Sequence, residues 1–512
     1  MKKTAYVIGI DIGTQGTKAG LFDASGVCYA EAYEASALLH PAPGAVEQDP
    51  DALYASVLHT VREVLEKSGA APGAVLALSV AGQMAGIQGI DREWNAVTPY
   101  DNWLDTRCEP YIREMKAEAE EEIIRSTGGP VTYAHGPKIL WWKRQRPDVY
   151  QKIYRFVPLS AYVAGRLCGL KGDQAWFDYT HLHFTGFSDT KSYTWNPALL
   201  RTFGVDGARL GCIRSPYDVV GGLTKAAAEV CGLRAGTPIT AGCGDSAASS
   251  LGAGITEPGI LYDVAGTASI FSACTDFFAP DTENRTVLYA HSVIRDLWIP
   301  LAYISGGGLC LRWFRDTFLG ASSGGSGYGL LEQEAAGVEP GSAGLYFIPH
   351  FAGRTCPNDP SVRGTWLGLE WHHTRAHMYR SVMEAIAYEY RLYNKIISDK
   401  TGQNASVVYG VGGGSESTVF NQIKADVLGA DYVPMKCGDT GIAGSALIAG
   451  MAAGLYSDEQ DMRRAAAANV KKGEAVRFNK DAHTAYSSCA ETYVQMLQGV
   501  QALYKIRPEE TE

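Results

Sequence analysis

The 512-residue chain predicts an α/β protein built from two related domains. Three observations carry that expectation. The chain is too long for one ordinary hydrophobic core. It opens with a strand, a Gly/Thr hairpin, a third strand, a helix and another strand. A similar strand and Gly/Thr hairpin recur past the midpoint.

Val7, Ile8 and Ile10 form a short buried strand that ends in Asp11. Gly13 and Gly16 let the backbone turn tightly, and the chain returns through Ala19-Gly20-Leu21-Phe22 to a turn at Asp23-Ala24-Ser25-Gly26. A third strand runs over 27–35. The helix that follows has Asp49 as its cap, Pro50 at its first position and Gly69 at its end. Leu53, Val57, Leu58, Val61, Val64 and Leu65 share one helical face. Val75 to Val80 reads as a buried strand leading into Gly82-Gln83-Met84-Ala85-Gly86. Pro238 to Ala241 is a strand, followed by Gly242-Cys243-Gly244-Asp245-Ser246 and an Ala-rich helix to about Leu251.

In the second half, 260–265 is a strand, Gly266-Thr267-Ala268-Ser269 a turn, and 270–273 the returning strand. Val407 to Val411 leads into Gly412-Gly413-Gly414-Ser415 and a helix with Val419, Ile423, Val427 and Leu428 on its apolar side. The boundary falls near Gly254-Ile255-Thr256-Glu257-Pro258-Gly259, where a helix ends in Gly before a Pro-Gly turn. This divides the chain into 1–254 and 255–512. The Gly/Ser-rich run 322–329 reads as a flexible surface loop. The last helices, from about Asp481 to Leu503, are expected to pack back on the body.

Composition narrows the function classes. A formal charge of −10 gives no support for nucleic-acid binding, which would want a basic face. The acidic run from Glu118 to Glu122 reads as a solvated helix face. The eleven scattered cysteines include no C-x-x-C pair, which suits reduced thiols better than disulfides or zinc. No stretch of about 18 uninterrupted apolar residues exists, so no membrane span is expected. Met1-Lys2-Lys3 runs directly into the first strand without a signal-peptide apolar region. The expected compartment is the cytoplasm.

Two constellations carry chemistry. Around Gly13 and Gly16 the backbone can aim N–H groups at an anion, and Thr14, Thr17 and Lys18 add hydroxyls and a charge. With Asp11 beside them, these residues suit a Mg-nucleotide, because magnesium takes oxygen ligands and is held largely through phosphates. They also make an ordinary hairpin, and both readings can hold at once. Asp245 reads either as a helix N-cap or as a general base accepting a hydroxyl proton during phosphoryl transfer. The run Gly410 to Ser415 partly matches a dinucleotide fingerprint, with Asp431 about 20 residues on, but Ser415 stands at its third glycine. An adenosine-bearing turn uses the same open backbone. His181 and His183 lie two apart and His373 and His377 four apart; Thr374 stands where a zincin has Glu, so histidine ligation of a metal is not expected. Trp141 and Trp142, beside Lys138 and Lys143, read as core and helix surface.

In order and spacing, these segments resemble the FGGY family of carbohydrate kinases, within the actin-like ATPase superfamily and its xylulokinase branch. The likeness spans nearly the whole chain. Asp11-Ile12-Gly13-Thr14-Gln15-Gly16-Thr17-Lys18 is similar to the family's first phosphate loop. Gly82-Gln83-Met84-Ala85-Gly86 is similar to its Gly-Gln-Met-His-Gly sugar motif, and Trp103-Leu104-Asp105-Thr106-Arg107 to Trp-Asn-Asp-x-Arg. Pro137-Lys138-Ile139-Leu140-Trp141 and Gly244-Asp245-Ser246-Ala247-Ala248 also match. So do Gly266-Thr267-Ala268-Ser269, Asn358 to Gly364, Thr374-Arg375-Ala376-His377, and Gly412-Gly413-Gly414-Ser415 through Asn421, Ala425 and Asp426.

The resemblance implies two actin-like ATPase (ribonuclease H-like) domains flanking a central cleft. The first would hold the sugar and one phosphate loop, the second adenosine and the other phosphate loop. It implies transfer of the γ-phosphoryl of ATP, with Mg²⁺, to the terminal hydroxyl of a ketopentose. D-xylulose, giving the 5-phosphate, comes first; another small ketose or polyol (ribulose, erythrulose or a glycerol-like compound) is the alternative. Asp245 would be the base and Asp11 would hold Mg²⁺ through its water shell. Gln83, Met84, Trp103, Asp105 and Ser246 would line the sugar pocket. Thr14, Thr17, Lys18, Gly266 and Thr267 would grip phosphates, and Gly413, Gly414, Ser417 and Asn421 would cradle adenosine. A small sugar is the expected partner, and a homodimer the oligomer such a chain could form.

Three departures bear on the sugar. Ala85 replaces the family histidine, no Glu precedes Arg354 in Gly353-Arg354-Thr355-Cys356-Pro357, and Ser160-Ala161 replaces a Lys-Asp pair. Two rivals remain at this level. One is a non-metabolic actin- or chaperone-like ATPase, which would turn over ATP regardless of sugar. The other is a nicotinamide dehydrogenase built on the Gly412 turn. Neither explains Gln83-Met84 and Asp245 together.

Overall fold

The computed structural model of the protein describes residues 5–320, 324–403 and 406–506. Met1 to Lys3 lie outside the described residues. Two sheet-containing halves repeat one topology. In the first sheet the order is Val219–Gly222, Pro238–Thr240, Val75–Gly82, Tyr6–Ile12, Gly16–Asp23, Cys28–Ala35, with Cys243–Gly244 also pairing Val75–Gly82. In the second it is Leu288–His291, Trp298–Ile304, Ser269–Ala273, Leu261–Ala265, Val407–Val411, Asp431–Lys436, Lys471–Lys472. In each half an antiparallel meander passes its first strand to parallel neighbours.

Local signals explain the first helix, Pro50–Ser68. Asp49 accepts a hydrogen bond from the Asp51 N–H, and Gly69 closes the helix in the left-handed region at φ 65°. Its predicted apolar face is buried against Ile8, Ile10, Ala19 and Leu21. The opposite face of the same sheet is covered by a helix from the far end of the chain, Thr440–Ala452. There Ile442, Ala446 and Ala449 pack on Val7, Phe22 and Ala77. The strands Tyr6–Ile12 and Gly16–Asp23 are therefore largely buried on both faces.

That late helix also crosses Asp245–Gly252 at backbone contact. A Cβ on Gly444 would lie 1.8 Å from the Ala248 carbonyl oxygen, and one on Gly252 would lie 2.1 Å from that of Thr440. Only glycine allows this approach, which binds the second half to the helix that begins at Asp245. In the second half, Asp263 is wholly buried. It accepts hydrogen bonds from Lys424 Nζ at 2.7 Å, Tyr432 at 2.7 Å and Tyr390 at 2.6 Å. Breaking such a buried pair typically costs about 3–5 kcal/mol, so this network fixes the parallel strands beneath their turns.

The run 322–329 departs from the loop expectation. Positions 322 and 323 lie outside the described residues, but Gly324–Ala336 is a helix. Leu331 and Ala335 are fully buried in the core that includes the long helix Arg375–Thr401. Burial of that face overrides the weak helix propensity of glycine. The closing helix, Lys480–Tyr504, buries Tyr486, Tyr493, Leu497 and Val500. All eleven cysteines are free thiols. Among the described residues, no helix is long and apolar enough to cross a membrane.

Candidate functional site

Strand register assembles the site. Asp11 lies opposite Lys18 across the hairpin and beside Ala81 across the parallel pair, while Cys243 also pairs Ala81. The strands leading to Asp11, Gln83 and Asp245 thus end side by side, at the carboxyl edge where open α/β sheets bind ligands. In the second half the turns after Ala265 and Val411 adjoin in the same way, since Val264 pairs Val411.

Asp11 is a poorly satisfied carboxylate. Its Oδ1 is buried and has no hydrogen-bond partner. Burial, reinforced by the charges of Asp245 and Asp439 and opposed by Lys18, pushes its carboxyl up to about 7. An anionic oxygen withdrawn from water without a donor is costly, and a cation or a cation's water shell would relieve it. The residues present therefore fit a hydrated divalent ion.

Asp245 is not the N-cap that one reading made it. Gly244 occupies the cap, and Asp245 is the first residue of the helix Asp245–Gly252. Its Oδ1 accepts a hydrogen bond from Ser246 N–H at 2.6 Å and one from Ser246 Oγ at 3.2 Å. Burial raises its carboxyl above the usual range, against those two bonds and nearby His181. The Gly244 N–H donates to Thr180 Oγ1 at 2.9 Å, which fixes the approach to the carboxylate. Met84 packs against Gly244, and Ser246 is exposed. Ala85 sits at φ 63°, a strained conformation for a residue with a Cβ.

Other predicted residues separate by the direction of their side chains. Thr14 is half-buried; its hydroxyl donates to Gln83 Oε1 at 3.3 Å and accepts from Trp103 Nε1 at 2.8 Å. Trp103 is 45% exposed over that loop. Lys18 is half-exposed and pairs with Asp439 at 2.5 Å. Thr17 must be withdrawn from the phosphate set. One residue from Lys18 on a strand, it points to the opposite face, where its hydroxyl meets Ser56 at 2.6 Å inside the core.

Gln83 and Asp105 are likewise drawn inward. Gln83 Oε1 accepts from Asn102 at 2.7 Å, and its amide nitrogen donates to Gln48 at 2.7 Å. Asp105 accepts from the Val46 N–H at 2.9 Å and Arg107 Nε at 2.8 Å. Arg107 also meets Glu47 and Asp101, so these carboxylates brace a loop instead of lining a pocket.

In the second half, Gly266 is half-buried, while Thr267 and Gly413 are exposed. Gly414 lies against Ala265. Ser417 is committed to capping the helix Thr418–Leu428, accepting from the Phe420 N–H. Asn421 is buried and donates to the Ser415 carbonyl at 2.7 Å, so it holds the glycine turn from behind. The helix Gly307–Leu319 starts against the Gly266 turn, with the Leu309 N–H donating to the Thr267 carbonyl at 3.2 Å. Arg354, which no Glu precedes, pairs instead with Glu389 at 3.2 Å in the buried core.

Sequence reasoning missed Asp439, Gln48, Asn102 and the Asp178–His181 pair, whose atoms meet at 2.6 Å. Asp439 had one available signal, a cap residue ahead of an apolar small-residue helix. The others meet their partners only through the tertiary fold.

Comparison with known proteins identifies the family and the fold. Models of the N-terminal and C-terminal domains of the FGGY family of carbohydrate kinases match residues 6–252 and 261–453. The gluconokinase of Bacillus subtilis (strain 168) is 26% identical over 463 residues, covering 89% of this chain and 88% of its own. The xylulose kinase of the same organism is 26% identical over 473 residues, covering 90% and 92%. The crystal structure of xylulose kinase from Rhodospirillum rubrum superposes with a TM-score of 0.88 at 25% identity, covering 98% of this chain and all of that one. The chain belongs to the FGGY family of carbohydrate kinases, enzymes that transfer phosphate from ATP to a sugar hydroxyl.

Proposed function

We propose that this FGGY kinase phosphorylates the terminal hydroxyl of a small neutral ketose, with D-xylulose to its 5-phosphate as the first candidate. The observation that carries the reading is the pairing of Asp11 and Asp245 at neighbouring strand ends, each feeling burial and Asp11 also feeling Asp245.

Asp245 would accept the proton of the sugar hydroxyl while that oxygen bonds to the γ-phosphorus and the bond to the bridging β,γ-oxygen breaks, releasing ADP. Thr14 and Lys18 from one half, and the Gly266–Thr267 turn from the other, would position the phosphates. The open Gly413–Gly414 turn would receive adenosine. Asp11 would hold hydrated Mg²⁺, which when bound supplies charge neutralisation at the phosphates. Closure of the halves would keep water from the transferring group.

Charge favours a neutral sugar over an aldonate such as gluconate. Arg107 is already engaged by Glu47, Asp101 and Asp105. Lys138 is buried, with its ammonium on the Asn102 carbonyl at 2.6 Å. Asp245 would repel a substrate carboxylate. A coupled ADP-release screen with ketoses and polyols of three to seven carbons and with gluconate tests the reading. Turnover with gluconate and none with ketoses would overturn it.

A further inference from the structure

We infer that Asp439, from the second half, is a further carboxylate for the divalent cation, and that it holds Lys18 until the cation arrives. The inference rests on the kinase reading. Asp439 lies far from the first phosphate loop in sequence, yet its Oδ2 meets Lys18 Nζ at 2.5 Å. Its Oδ1 is fixed by the helix it caps, accepting from the Gly441 N–H at 3.1 Å and the Ile442 N–H at 3.2 Å. The same turn abuts Asp11: a Cβ on Gly441 would lie 2.4 Å from Asp11 Oδ2.

One ammonium thus serves a site where Asp11, Asp245 and Asp439 converge, and the Asp11 Oδ1 beside it is buried without a donor. With all three carboxylates ionised, their charge would exceed that of Lys18 by two, a difference a divalent ion would neutralise. Lys18 cannot serve Asp439 and a nucleotide phosphate equally well. A cation that takes Asp439 therefore releases Lys18 toward the phosphates, so cation binding and phosphate grip become a single coupled event. Asp439 projects from the helix Thr440–Ala452, which packs on the first sheet, so the exchange also spans both halves.

The test measures binding without sugar or turnover. ADP affinity is determined by calorimetry in excess Mg²⁺ and in EDTA, and Mn²⁺ affinity of the ADP complex by electron paramagnetic resonance. Asp439→Asn keeps the helix cap, because Asn caps about as well as Asp; Asp439→Ser is the second variant on the same ground. Both are expected to lose about 10- to 100-fold in Mn²⁺ affinity. Their ADP affinity in EDTA should rise about two- to fivefold as Lys18 is freed from an exposed ion pair. Wild-type-like values of both constants in the folded variants would overturn the inference and leave the kinase reading standing. A wild-type protein that binds no ADP with Mn²⁺ would overturn both.

Discussion

Replacing Asp245 by Asn isolates proton transfer from structure. The helix is capped at Gly244, and the Asp245 Oδ1 accepts from the Ser246 N–H at 2.6 Å, a bond an amide oxygen can also accept. The change removes a negative charge that raises the Asp11 carboxyl. The thermal midpoint should therefore hold or rise slightly. Turnover should not hold, because a neutral amide cannot take the sugar's proton. Loss of a general base costs about 10²–10⁴-fold, which corresponds to about 3–5 kcal/mol of barrier at 1.36 kcal/mol per decade. ADP affinity in EDTA should be nearly unchanged, since the nucleotide turns lie elsewhere. The wild type should lose kcat/KM as pH falls through the raised Asp245 value, because only the ionised carboxylate is a base. Sugar-dependent ADP release, ADP binding and thermal melting are read on the same preparation. Near-normal turnover in the variant would refute the assignment and leave the site without a base.

Ala85→His restores the side chain of the family motif at a position with φ 63°, a region histidine enters more readily than most residues. One added hydrogen bond is worth about 0.5–1.5 kcal/mol, so kcat/KM for xylulose should shift about two- to tenfold relative to other ketoses; an unaltered profile would place Ala85 away from the sugar. Thr17→Val should lower stability by about 0.5–1.5 kcal/mol through the lost bond to Ser56 while leaving the nucleotide KM unchanged. A raised nucleotide KM would return Thr17 to the phosphate set. Glu389 is a pH handle on folding. Burial alone would raise its carboxyl, but Arg354 and His350 outweigh it and hold the group well below its ordinary 4.5. A depressed carboxylate stabilises the fold fully above its unfolded pKa and loses that contribution as pH falls through the folded value. Urea midpoints should therefore decline below about pH 4.5. In Glu389→Gln this portion of the decline should disappear, at a cost of about 3–5 kcal/mol for stranding Arg354. An unchanged pH slope would mean that other carboxylates carry it.

The sequence determined what depends on neighbours along the chain. Asp49 and Gly69 bound a helix because caps act within a turn of their own residue, and Asp11 stands out because a carboxylate after an apolar run must sit where the strand leaves the sheet. The repeated strand and glycine hairpin exposed the duplicated topology, which the two strand orders repeat. Tertiary structure decided the directions and the partners. Alternation puts Thr17 and Lys18 on opposite faces, but both faces are covered, one by Pro50–Ser68 and the other by Thr440–Ala452. Local pattern therefore could not say which face leads to solvent. Asn421 and Asp105 look like ligands in a motif, and the fold adds what the motif does not show, a bond from Asn421 to the Ser415 carbonyl and one from Arg107 to Asp105. Gly324 to Gly329 look like a loop until a helix face finds a core to enter. Asp439 meets Lys18 across a separation of 421 residues, a contact no local pattern encodes, because it forms only when the last part of the chain folds over the first.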